Sequence, residues 1–189
     1  GGPFQTRPVW GIEPELFCAG KEETFHFLED VLDEILAIFP SEYIHIGGDE
    51  CPFVRWEQCP LCQKRMKDEN LKNEAELHSY FLCRIEKYLN SKGRKIIGWD
   101  EILEGGASPT ATVMSWRGDV DGIKAANSGN HVIMTPGPYC YLDYRQGGRE
   151  VEPLSMGPCT TLEKIYSFHP VPDAIDSAKQ HYVLGAQGN

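Results

Sequence analysis

The sequence predicts an α/β fold built around a parallel sheet, and three observations carry that reading. Short apolar strand candidates alternate with helical stretches along most of the chain, the order that strand–helix–strand crossovers produce. The clearest helix repeats its apolar residues at three- and four-residue spacing. Each strand candidate runs straight into a cluster of aromatic, acidic or amide residues, as happens in a (β/α) barrel, where the C-terminal strand ends build the site.

In chain order, residues 1–20 carry many turn residues and little periodicity and read as loop. A helix follows from Glu22 to Phe39, with Phe25, Leu28, Leu32, Ile35 and Phe39 on one face and Pro40 as its stop. Tyr43 to Ile46 is a strand, and residues 53–69 are short helical pieces. Asn73 with Glu76 three residues on forms a capping box. It opens a helix whose face is Leu77, Phe81, Ile85, Tyr88 and Leu89 and whose C-cap is Gly93. Four more strands are expected at Lys95–Trp99, Ala111–Trp116, His131–Met134 and Tyr182–Gly185. Helical stretches lie at Asp119–Ser128, closed by Gly129, at Thr161–Tyr166, and more weakly at Ala174–Lys179. No repeat, low-complexity segment or domain boundary interrupts this order.

Composition narrows the function classes. A chain of 189 residues can bury one sizeable core. Its net charge of −10 argues against nucleic acid or an anionic membrane as main partner and suits a neutral or cationic ligand. No apolar run is long enough to span a bilayer, and the start carries no signal-peptide pattern. The opening residues read as loop from inside a longer protein, so a targeting segment would lie elsewhere. Seven cysteines leave at least one thiol without a partner inside the chain. Cys59-Pro60-Leu61-Cys62 is a C-x-x-C pattern that suits half a zinc site or a redox pair. With no second such pair in the chain, packing or a local disulfide is favoured over structural zinc.

The chemistry concentrates in His45-Ile46-Gly47-Gly48-Asp49-Glu50. A strand ends in a glycine turn that presents two adjacent carboxylates. Such neighbours repel, and acid/base sites use that repulsion to keep one carboxyl protonated; the bland alternative is a solvated acidic turn. Later strands end in Gly98-Trp99-Asp100-Glu101, Ser115-Trp116-Arg117-Gly118, the run Tyr139 to Tyr144, and Gln187-Gly188-Asn189. Trp and Tyr offer flat apolar surfaces with one polar handle, which suit the faces of pyranose rings. Alternatively, Trp99 and Trp116 simply cap the core. Because Asp49 and Glu50 are sequence neighbours, their side chains diverge and are ill placed to flank one glycosidic bond from both sides. A division of labour fits better, with Glu50 transferring a proton to the leaving oxygen, Asp49 holding another part of the substrate, and the sugar itself supplying the nucleophile.

These pieces, with Tyr141-Leu142-Asp143 and Gly185-Ala186-Gln187-Gly188-Asn189, occur in the order found in glycoside hydrolase family 20, the β-N-acetylhexosaminidases, which the chain closely resembles. The resemblance implies an exo-acting, retaining hydrolase that removes terminal β-linked GlcNAc or GalNAc through an oxazolinium intermediate. It implies Glu50 as general acid/base, Asp49 as the group that orients the 2-acetamido substituent and stabilises the charged intermediate, and Tyr141 as a hydrogen-bond donor to the acetamido oxygen. Trp99 and Trp116 resemble walls of the acetamido pocket, and Asp143 an acid that binds hydroxyls of the terminal sugar; all six are expected to face one pocket. The resemblance implies no metal or organic cofactor. The partners implied are β-N-acetylhexosaminide glycans and the rest of the barrel, in a periplasmic, extracellular or lysosomal setting.

The resemblance also implies a (β/α)8 TIM barrel, of which residues 1–189 are a C-terminal part holding about strands four to eight, since the family barrel takes about 250 residues. The family's arginine of strand one, its acid and histidine of strands two and three, and a tryptophan beyond Asn189 have no counterpart here. The piece alone is therefore expected to be inactive, with a bare or foreign-paired strand edge near Tyr43 to Ile46. The alternatives are a non-catalytic carbohydrate-binding remnant and a disaccharide-releasing lacto-N-biosidase relative.

Overall fold

The computed structural model describes residues 6–189. In order the elements are α1 (Glu22–Ile38), β1 (Tyr43–His45), α2 (Val54–Gln58), α3 (Pro60–Asp68), α4 (Glu74–Ser91), β2 (Lys95–Trp99), a 3-10 turn (Asp100–Leu103), β3 (Thr112–Ser115), α5 (Val120–Ser128), β4 (Val132–Met134), α6 (Gly137–Cys140), α7 (Leu162–Tyr166), a second 3-10 turn (Ser177–Tyr182) and β5 (Val183–Ala186). The strands form one sheet in the order β1-β2-β3-β4-β5. β2 to β5 pair in parallel, with Trp99 opposite Met114, Ser115 opposite Met134, and Met134 opposite Ala186. Lys95 N–H donates to Glu42 O at 2.8 Å and Ile46 N–H to Ile97 O at 2.9 Å, so β1 and β2 advance in the same direction. β1 is an edge of the sheet among the described residues.

The chain divides into two compact units, each assembled from separate stretches. The first takes the chain up to Ile44, then Gly48–Ile96 and Glu101–Ser108; the second takes His45–Gly47, Ile97–Asp100 and Pro109–Asn189. In the first, α1 packs on α4. Phe25, the one fully buried residue of α1, meets the rings of Phe81 at 5.0 Å and Tyr80 at 6.3 Å. The expected cap of α4 is present, since Glu76 N–H donates to Asn73 Oδ1 at 2.9 Å. The Glu76 carboxylate accepts from Lys72 N–H at 2.8 Å rather than from the Asn73 N–H of the usual reciprocal pair. Ala19, Trp56, Cys62, Met66 and Leu77 form a buried cluster.

In the second unit, all four residues of β3 are buried, as in a parallel sheet covered on both faces, and α5 packs on β3 and β4. The helix expected at Ala174–Lys179 is replaced by the later 3-10 turn. Asn127 donates its side-chain amide to Ala174 O at 3.3 Å and accepts Asp176 N–H at 3.0 Å. Those backbone groups are therefore engaged elsewhere and unavailable to an α-helix.

Candidate active site

β1 delivers the chain to Gly47 and Gly48, both in left-handed conformations with φ of +74° and +94°. Gly48 is sterically required, because a Cβ there would stand 2.8 Å from Ile102 Cγ2. His45 Nδ1 accepts the Gly47 N–H at 3.1 Å and pins the start of the turn. Glu50 is left-handed as well, with φ of +46°. That conformation costs a residue bearing a Cβ about 1–2 kcal/mol, and such outliers concentrate at functional positions. Asp49 and Glu50 are both exposed and belong to the first unit.

The same unit holds a residue that sequence reasoning did not single out. His78 on α4 is buried near the rings of Phe53 at 6.0 Å and Trp56 at 6.3 Å. Burial holds its imidazole below its ordinary pKa, against the opposing pull of the Glu104 and Asp49 carboxylates. Its helical spacing from Leu82 and Ile85, on the buried side of α4, is the signal that marks it as an inward position.

In the second unit β2 ends at Trp99, whose ring meets that of His45 edge-on at 4.8 Å. Next comes Asp100, fully buried, which organises the end of β3. One carboxylate oxygen accepts Trp116 N–H at 2.9 Å, Arg117 N–H at 3.2 Å and the Ser115 hydroxyl at 3.3 Å. The other accepts Arg117 Nε–H at 2.6 Å. A buried charge supplied with this many donors is a rigid anchor. It holds the Ser115-Trp116-Arg117 turn, and so fixes the backbone from which the Trp116 ring projects. Asp100 was legible in the sequence as one letter of a cluster but not as the residue that orders the neighbouring strand end.

Trp116 stacks on Tyr141, with centroids 6.2 Å apart and planes at 28°, and Tyr141 meets Tyr144 at 5.3 Å. The backbone around Tyr141 is tied to the last residues, because Asn189 N–H donates to Cys140 O and Leu142 N–H to Asn189 O, each at 2.8 Å. Gln187 is held through its N–H on Met134 O at 3.2 Å and by the Thr135 hydroxyl at 3.3 Å. Asp143 is exposed, and its charge adds to burial in pushing the Tyr144 phenol up.

Of the six expected site residues, then, Asp49 and Glu50 are sequence neighbours in the first unit. Trp116 and Tyr141 are in ring contact in the second, Trp99 stands against His45, and Asp143 is exposed two residues beyond Tyr141. The second unit thus presents stacked aromatic surface, and the first presents two exposed carboxylates. Elsewhere in the first unit, the sulfur atoms of Cys18, Cys59 and Cys62 lie within 4.8 Å of one another, so these three residues could hold a metal.

The model of the glycosyl hydrolase family 20 catalytic domain matches residues 3–189. The chain is 54% identical over 187 residues to a beta-hexosaminidase of Porphyromonas gingivalis, which covers 98% of this chain and 24% of that protein. It superposes on a solved beta-N-acetylhexosaminidase with a TM-score of 0.84 at 29% identity, over 96% of this chain and 39% of that one. It also superposes on an exo beta-N-acetylglucosaminidase of Vibrio harveyi in complex with N-acetylglucosamine, with a TM-score of 0.76 at 29% identity, over 92% of this chain and 28% of that one. The chain spans about a quarter of the length of the curated relatives it matches. The fold class follows: the five parallel strands are about strands four to eight of a (β/α)8 TIM barrel.

Proposed function

Because the chain belongs to glycosyl hydrolase family 20, we propose that the protein carrying it is a retaining exo-β-N-acetylhexosaminidase acting on glycans that end in β-linked GlcNAc or GalNAc. Glu50 protonates the glycosidic oxygen as the C1–O bond breaks, while the substrate's acetamido oxygen attacks C1 and forms an oxazolinium ion. Water then attacks C1 from the opposite side, Glu50 takes its proton, and the hemiacetal leaves with its original anomeric configuration. Asp49 orients the acetamido N–H and offsets the positive charge that develops on that group. Tyr141 donates a hydrogen bond to the acetamido oxygen, Trp99 and Trp116 flank the acetamido methyl, and Asp143 accepts hydrogen bonds from sugar hydroxyls.

The observation that carries this reading is the Trp116–Tyr141 stack, backed by the buried Asp100 carboxylate. It provides an aromatic wall beside a phenol, which suits an acetamido group better than a bare hydroxyl. The test is hydrolysis of a chromogenic β-N-acetylglucosaminide by the full-length protein, with the product anomer followed by NMR. Release of the β-anomer first, and no activity on the matching glucoside, are expected. First appearance of the α-anomer, or equal rates on the two substrates, would refute acetamido participation.

A further inference from the structure

Three cysteines from two distant parts of the sequence meet in the first unit. Cys18 lies in the loop before α1, Cys59 caps the N-terminus of α3, and Cys62 is in the first turn of that helix. Cys18 Sγ stands 3.7 Å from Cys59 Sγ and 3.7 Å from Cys62 Sγ. All three thiols are free. A disulfide would need sulfurs about 2 Å apart. Two thiolates on a tetrahedral zinc ion, each about 2.3 Å from the metal, stand about 3.8 Å from each other. The two 3.7 Å separations match that spacing, and the third pair of sulfurs lies within 4.8 Å.

The surrounding backbone is shaped for the same purpose. Gly20 is required for the approach, since a Cβ there would fall 2.2 Å from the Leu61 carbonyl carbon and 2.6 Å from Cys62 N. The loop is further tacked down by the Trp56 indole N–H, which donates to Phe17 O at 2.9 Å. All three cysteines line one cavity of about 370 Å³, together with Lys21 and Arg55 among others. Three thiolates and a divalent ion would leave a net charge of −1; Lys21 lines the same cavity, as do Arg55 and the Glu15 carboxylate paired with it.

We propose that Cys18, Cys59 and Cys62 are the thiolate ligands of a structural zinc ion, with the fourth coordination position turned to this cavity and filled by water or another ligand from outside the chain. Soft sulfur donors select zinc over magnesium or calcium. The metal ties the loop preceding α1 to the junction of α2 and α3, the stretch that follows the Asp49-Glu50 turn. The C-x-x-C pattern lacked a second pair in the sequence, and Cys18 provides the missing third ligand.

The test uses the full-length protein, purified under reducing conditions without a metal-affinity tag. Elemental analysis is expected to find one zinc per chain associated with this cluster, lost in Cys18→Ser and kept in Cys159→Ser, which alters an exposed thiol. Stripped protein titrated with cobalt(II) should develop a thiolate-to-metal charge-transfer band that zinc then abolishes. Should Cys18→Ser fail to fold, alkylation of the unaltered protein decides the matter. Exposed Cys83 and Cys159 should react at once, and Cys18, Cys59 and Cys62 only after chelation. Metal retained in Cys18→Ser, no charge-transfer band in the unaltered protein, alkylation indifferent to chelator, or a disulfide joining Cys18 to Cys59 or Cys62 would each overturn the proposal.

Discussion

Glu50 combines an exposed carboxylate with a backbone conformation that disfavours any residue but glycine. That combination is expected of a group held in place for its chemistry rather than for packing. On the role proposed for Glu50, Glu50→Gln in the full-length protein should lower kcat/KM by about 10²–10⁴-fold for substrates with poor leaving groups, the range typical of lost general acid catalysis. A nitrophenyl leaving group needs little protonation and should lose less; equal losses on both kinds of substrate would remove Glu50 from the role. Asp49→Asn and Tyr141→Phe should act through the acetamido group instead, by weakening stabilisation of charge that develops there. A thiazoline mimic of the intermediate should therefore inhibit the parent enzyme strongly and both variants weakly. Equal inhibition of all three would count against substrate assistance.

At the scale of the element, the end of β3 depends on a residue at the end of β2. Asp100 accepts two backbone N–H groups, a hydroxyl and the Arg117 guanidinium while fully buried. Asp100→Ala strands these donors and should cost about 3 kcal/mol or more, read from the urea midpoint at unchanged m-value. Asp100→Asn, which keeps an acceptor, should cost less. A destabilisation under about 1 kcal/mol for the alanine variant would mean that the turn is held by something else. Helix α4 carries a pH dependence of its own through His78. Its folded-state pKa lies below the ordinary value of 6.5 because burial disfavours the imidazolium. As pH falls through about 6.5 the unfolded chain takes up a proton that the folded one refuses, so stability falls with acidification. His78→Phe should flatten that slope between pH 7.5 and 5 in urea titrations; an unchanged slope would show that another group sets it.

Across the whole molecule, protection and exposure are unevenly distributed. β3 is buried at each position and flanked by strands on both sides. Residues 141–160 contain no helix or strand and expose Val151 and Leu154. Amides of Val113 to Ser115 should therefore exchange near the limit set by global unfolding, and those of residues 145–157 by local opening. Within these 189 residues, limited trypsinolysis should cut first after Arg149, which is exposed in that segment. First cleavage inside α4 or α5 would contradict this ranking. On the proposed roles of Tyr141 and Asp143, which border residues 145–157, a nick there should impair sugar binding before it impairs stability.

Much of this organisation is local and can be read from the letters in order. Apolar spacing marks α1 and α4, β2 follows from a short apolar run before Trp99, and Gly47-Gly48 announces a turn. The Asn73 cap and the Gly129 stop are likewise written within four residues of the helix ends they serve. Such features depend on contacts within one helical turn or one pleat, so the sequence determines them without knowledge of the chain's path. What the tertiary structure alone decided are encounters between residues far apart in sequence: Asp100 with Trp116, Trp116 with Tyr141, Cys18 with Cys59 and Cys62, and Asn127 with the segment that would otherwise have become a helix. A carboxylate, a thiol or an indole carries no mark of its distant partner. The partner is fixed by which strand ends and loops the packed sheet and helices bring within a few ångströms, and that depends on burial summed over the whole chain rather than on any local pattern.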